Sequence, residues 1–201
     1  MVDQTAIIEV GIKAIQAMDY LIGKILDLRP PISDQVGPPY LLISNPTLPE
    51  AVEALCHYQA LAYSCLFDDG ARPASEGTHF KKLRLARVAE FRRRCPQVEI
   101  NHLRNRGFRN AIAHFDERYL KLLEQQPNDP RFQDLALSHR SAINIGPGSE
   151  SRLIRVICYD ENRVYLFGES INIVELRAEG EAIIRALGYE FDRNIPKREA
   201  E

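Results

Sequence analysis

The stretch Leu103 to Leu123, LRNRGFRNAIAHFDERYLKLL, decides how the rest of this chain is read. At 3.6 residues per turn, Phe108, Ile112, Phe115, Tyr119 and Leu122 gather on one side, as a core-facing stripe should. A rotation of roughly 100° per residue places Arg106, Arg109, Asn110, His114 and Glu117 on the opposite side, away from the chain's own core. Gly107 and Ala113 lie on that polar side too. A mid-helix glycine costs about 1 kcal/mol relative to alanine, so Gly107 implies close approach of another helix or a ligand.

Arg109-Asn110-Ala111-Ile112-Ala113-His114 is an arginine, a polar residue, three residues and a histidine. It resembles the RNxxxH-type motif of the HEPN superfamily, over about residues 1–126. The resemblance implies a helical bundle with the motif on a late helix, commonly at a homodimer interface. Many members of that superfamily are metal-independent ribonucleases, including toxins of toxin-antitoxin systems and defence nucleases; others are non-catalytic interaction modules. Some HEPN toxins carry a tyrosine two residues after the histidine that an antitoxin modifies. Asp116 stands there in this chain, which puts that regulation in doubt.

The motif's chemistry suits RNA cleavage, in which the 2′-hydroxyl attacks the adjacent phosphorus. That step needs a base, an acid and a cation for the charge building on phosphorus. Histidine, with an ordinary pKa of about 6.5, serves as acid or base near neutrality. Arginine offers a planar fork matched to phosphate oxygens. The catalytic candidates are therefore His114 as acid/base, Arg109 as phosphate clamp and Asn110 orienting the imidazole. A two-fold dimer through the motif helix would bring two such sets into one cleft. DNA would bind there without being cut.

Charge supports a polyanion partner. From Lys81 to Arg109, ten basic residues face two acidic ones, a formal +8, while the remainder carries −10, for −2 overall. Lys81, Arg84, Arg87, His102, Arg104 and Arg106 are the candidate RNA contacts. The bland alternative is a solvated helix whose arginines meet acidic residues elsewhere in the fold.

The fold expected is mainly α: a four-helix up-and-down bundle over 1–126, then a long loop, a β-hairpin and a final helix over 127–201 packed on it as one domain. Ile8, Gly11, Ile15, Met18, Ile22 and Ile25 keep helical spacing in a first helix from about Asp3 to Leu28. Prolines make 30–46 a connecting loop. Thr47-Leu48-Pro49-Glu50 reads as a capping box opening a second helix to about Asp68. A third runs from about His79 to Arg94, and the motif helix from about Gln97 to Gln126. Residues 127–150 read as loop, with a short helical turn near Pro130 to Leu137. Arg152–Tyr159 and Arg163–Phe167 form the hairpin, and Asn172 caps a last helix ending at Gly188.

Four scattered cysteines lack metal-ligand spacing and read as reduced thiols, and no cofactor or metal is expected. Without a signal-like or membrane-spanning run, the cytoplasm is the expected compartment. The partners expected are RNA, a second copy of the chain, and an antitoxin or other protein. The opposing expectation is a non-catalytic module of the same architecture, with Arg109 and His114 stabilising a dimer or docking a partner.

Overall fold

Helical periodicity in the first thirty residues becomes a packed helix pair. The structure, a computed structural model, describes residues 5–29, 42–44, 46–68, 70, 76–143 and 150–189. In α1 (Thr5–Asp27), Ile12, Ile15, Met18, Ile22 and Ile25 form one buried stripe. It lies along α2 (Leu48–Leu66), whose Val52, Leu55, Ala62 and Leu66 are wholly buried. Gly11 permits the contact: a Cβ there would come within 2.6 Å of the Leu66 side chain. Thr47 precedes α2 in a helical conformation and makes no side-chain cap, so the expected capping box does not form. Pro49 still opens the helix, its missing N–H being one the first turn leaves unpaired anyway.

α3 (Thr78–Arg94) docks through Val88 and Phe91, with Phe91 edge-on to Phe67 at 5.1 Å. The expected single motif helix is instead three: α4 (Asn101–Arg104), α5 (Arg106–Ala113) and α6 (Phe115–Gln125). Asn105, at φ −57° and ψ 94°, makes the first break and caps α5 by accepting from the Phe108 N–H at 3.0 Å. His114, at φ −121° and ψ 39°, makes the second. The stripe read as continuous serves two destinations. Phe108 and Ala111 are buried where α5 meets α2, whereas Phe115 and Tyr119 turn to Phe167. A straight helix would not reach both.

The C-terminal part holds more sheet than expected. β1 (Leu42–Ser44), β2 (Phe132–Leu137), β3 (Leu153–Cys158), β4 (Arg163–Leu166) and β5 (Glu169–Asn172) lie in that order, with β2 and β3 parallel and the other neighbours antiparallel. The β3–β4 hairpin matches its sequence signal. Residues 132–137, read as loop or helical turn, are strand, and 42–44 join the sheet edge; the rest of the expected 30–46 loop lies mostly outside the described residues. β2 hides its period because both faces are buried: Ala136 enters the main core, while Leu135 and Leu137 join a smaller cluster with Leu153, Val156 and Cys158. Asp134, at φ +56°, interrupts the alternation as well. Phe167 and Gly168, at φ +52° and +83°, form the tight turn into β5, where both central residues need the left-handed region.

Asn172 caps α7 (Ile173–Ala186), accepting from the N–H groups of Val174 and Glu175 at 3.0 and 3.1 Å. α7 crosses α1, where Gly180 abuts Ile15 and Arg177 bonds Asp19. One core of α1–α7 and the inner sheet face thus runs from Ile12 to Ile184. All four cysteines are free and buried. No helix among the described residues is long and apolar enough to cross a membrane.

Candidate functional site

The break at His114 opens a cavity. Asn110 from the last turn of α5, His114, and Glu117, Arg118, Lys121, Leu122 and Gln125 along α6 line a solvent-open space of about 510 Å³, closed on the sheet side by Ser151 and Phe167. Leu122 and Phe167 are buried, and Phe167 is wedged edge-on against Phe115 and Tyr119 at 5.1 and 6.4 Å.

His114 stands at the mouth with 59% of its side chain exposed, its Nδ1 3.4 Å from the Glu117 carboxylate. Arg118 lies 3.8 Å from Glu169 of β5, a long and partly solvated pair. Gly107 is explained by the same carboxylate: a Cβ there would overlap Glu169, so a strand side chain, not a second helix, takes the space. His114, Arg118, Lys121 and two amides, Asn110 and Gln125, thus face one cavity against one acidic group, Glu117. That set can hold an anion, and it includes an imidazole.

Arg109 is not among them. Its guanidinium lies 4.4 Å from the centre of the Tyr63 ring on α2, and its burial holds its pKa below the usual arginine value, opposed by Tyr63 and Asp68. It remains protonated. The expected placement opposite the core is corrected: Arg109 flanks Phe108 and turns its guanidinium onto the Tyr63 ring. Within one chain, Arg109 and His114 do not share a site.

The other candidates disperse. His102 on α4 hydrogen-bonds Glu175 of α7, while its backbone N–H and that of Leu103 donate to Glu179 at 2.8 Å each, so it belongs to a helix junction and not to the cleft. Burial raises the Glu179 pKa against the pull of those donors. Arg84 and Arg87, expected on an accessible basic face, are buried. Arg84 makes a bidentate pair with Glu76, 2.9 Å at each bond, and donates to the Asp68 carbonyl at 2.8 Å; Arg87 donates to the Ser64 carbonyl at 3.2 Å. Both fasten α3 to the end of α2. Arg93 and Arg94 converge on Glu90, whose carboxyl they hold down at about 2. Lys81, Arg104 and Arg106 remain exposed.

Arg118, Lys121 and Gln125 continue from His114 at spacings of four, three and four, so the motif's helical periodicity, extended three turns further, would have found them. Ser151 and Phe167 had no such signal. Nor did Arg155, at φ +53° in a β3 bulge, which pairs with Asp134 and Glu53 at 2.7 Å each and sits 4.7 Å from the Phe115 ring. It braces the first residue of α6 from behind.

Comparison with protein-family models, with curated proteins and with solved structures finds no match for this chain.

Proposed function

We propose that this chain is a HEPN-like RNA-binding domain that takes an RNA phosphodiester into the cavity beside His114 and cleaves it without metal. The observation that carries the reading is the convergence of His114, Asn110, Arg118 and Lys121 on one open cavity. In this reading α1, α2, α3 and the segmented α4–α6 stand as the four helices of an up-and-down bundle. With Nδ1 beside Glu117, Nε2 is the imidazole nitrogen that meets RNA. The 2′-oxygen bonds to phosphorus as the 5′-oxygen leaves, giving a 2′,3′-cyclic phosphate and a 5′-hydroxyl. His114 takes the 2′ proton, and the His114 of a second copy across a two-fold gives one to the leaving oxygen. Arg118 and Lys121 balance the phosphorane charge, and Arg109 acts through α5, locking it on Tyr63. In the cell this would be a cytoplasmic toxin- or defence-type ribonuclease, held in check by a protein partner.

A second reading is favoured by two contacts. Arg109 packed on Tyr63 and His114 beside Glu117 is the arrangement expected of a non-catalytic interaction module. Cleavage of labelled structured RNAs in EDTA separates the two, using the parent beside His114→Ala and Lys121→Ala variants shown to be folded and equally oligomeric. Cutting by the parent alone establishes the nuclease. Several RNAs left whole by all three would leave the interaction module as the better account.

A further inference from the structure

Gln125 of α6 and Ser151 beside the sheet are both lining residues of the cavity. The next residue along each segment is Gln126 or Arg152. Arg131 precedes Phe132 and Arg152 precedes Leu153, and those two are the first registered pair of the parallel β2–β3 ladder. Two arginines therefore enter neighbouring strands side by side. A pair of like charges needs acceptors, and few are present. Arg131 donates to the carbonyls of Gln126 and Pro127 at 3.3 and 3.2 Å, and Arg152 lies 3.4 Å from the half-exposed Asp129 carboxylate. Both Nε atoms, and Oε1 of Gln126, are buried without a hydrogen-bond partner. Buried polar atoms are paired in the great majority of cases, and three unmet ones in one corner beside an open cavity favour a polar ligand there.

We propose that Arg131 and Arg152 form a phosphate subsite continuous with the His114 cavity, so that the chain grips an RNA strand at two stretches of backbone. This rests on the RNA reading of the cavity. The planar guanidinium fork matches phosphate oxygens bidentately, and the weak contacts it now makes are readily exchanged for charge-assisted ones. Asp129 opposes the anion, so binding is moderate and falls with salt.

The test is an NMR titration of the full chain with 2′-O-methyl hexauridylate, which cannot be cleaved. It follows the Nε–H signals of Arg131 and Arg152 and the His114 ring signals, assigned with Arg131→Gln, Arg152→Gln and His114→Ala. The expected result is that all three sets shift together, and that each arginine variant lowers the slope of log affinity against log salt by about one. Shifts at the arginines alone would uphold the subsite and defeat the His114 reading. Shifts at His114 alone would overturn the subsite and leave that reading standing. No shift at any of them overturns both.

Discussion

Arg109 and His114, five residues apart, differ in what their removal costs. Arg109 lays its charge over Tyr63, a cation–π contact worth about 1–2 kcal/mol when partly desolvated, so Arg109→Ala should lower unfolding stability by that amount. His114, mostly exposed, should change stability by less than about 0.5 kcal/mol on truncation. Urea unfolding of both variants checks the contrast, and equal midpoints would remove the packing role assigned to Arg109. Arg155 is the larger case. Its side chain is 12% exposed between Asp134 and Glu53, so Arg155→Ala strands a carboxylate that is itself only 22% exposed and should cost about 3 kcal/mol. Adding Asp134→Asn should recover part of the loss, and strict additivity in the double-mutant cycle would show that the two residues do not interact.

Caps and breaks set where the elements point. Asn172 gives α7 a local cap, predicting a loss of about 1 kcal/mol in Asn172→Ala. Asn105 also caps α5 and, in addition, donates to the Ser170 carbonyl of β5 at 3.0 Å, tying the motif helix to the sheet. Asn105→Ala should therefore lower the thermal midpoint, and an unchanged midpoint would mean that neither the cap nor the tie to β5 contributes. The break at His114 has a different origin. No proline or glycine makes it; α5 is committed to α2 and α6 to Phe167, and the chain turns between them. The turn puts the imidazole at the mouth of the cavity instead of in the middle of a helix face.

For the whole molecule, the buried ionisable groups of the sheet predict alkaline sensitivity. Burial, with Glu161 adding and Arg140 opposing, pushes the Cys158 thiol from its ordinary value near 9 up to about 12, and burial also raises the hydroxyls of Tyr159 and Tyr165. These groups bind protons more tightly in the folded chain. Their contribution is complete below the unfolded thiol's pKa near 9 and is lost as pH rises from there towards 12. The urea midpoint should accordingly fall between pH 8 and about 10.5, with a shallower fall in Cys158→Ala; a flat profile would mean that these side chains are not withdrawn from water.

Patterns complete within one element were legible in the sequence: α1 and α2 from their apolar period, α3 from the polar loop before it and Pro96 after it, α7 from Asn172, and the β3–β4 hairpin from its residue types. The motif's polar face was legible too, and it leads to Asn110, His114 and, one and two turns on, Arg118 and Lys121. Periodicity says which residues share a face, because that depends only on rise and rotation per residue. It cannot say which face meets another element. Only the tertiary structure decided that Arg109 packs on Tyr63, that Arg84 and Arg87 turn inward to hold α3, that β2 pairs with strands on either side, and that Ser151 and Phe167 close the cavity. Each of those facts depends on a contact between residues far apart in the chain, and such contacts leave no period in the sequence around either partner.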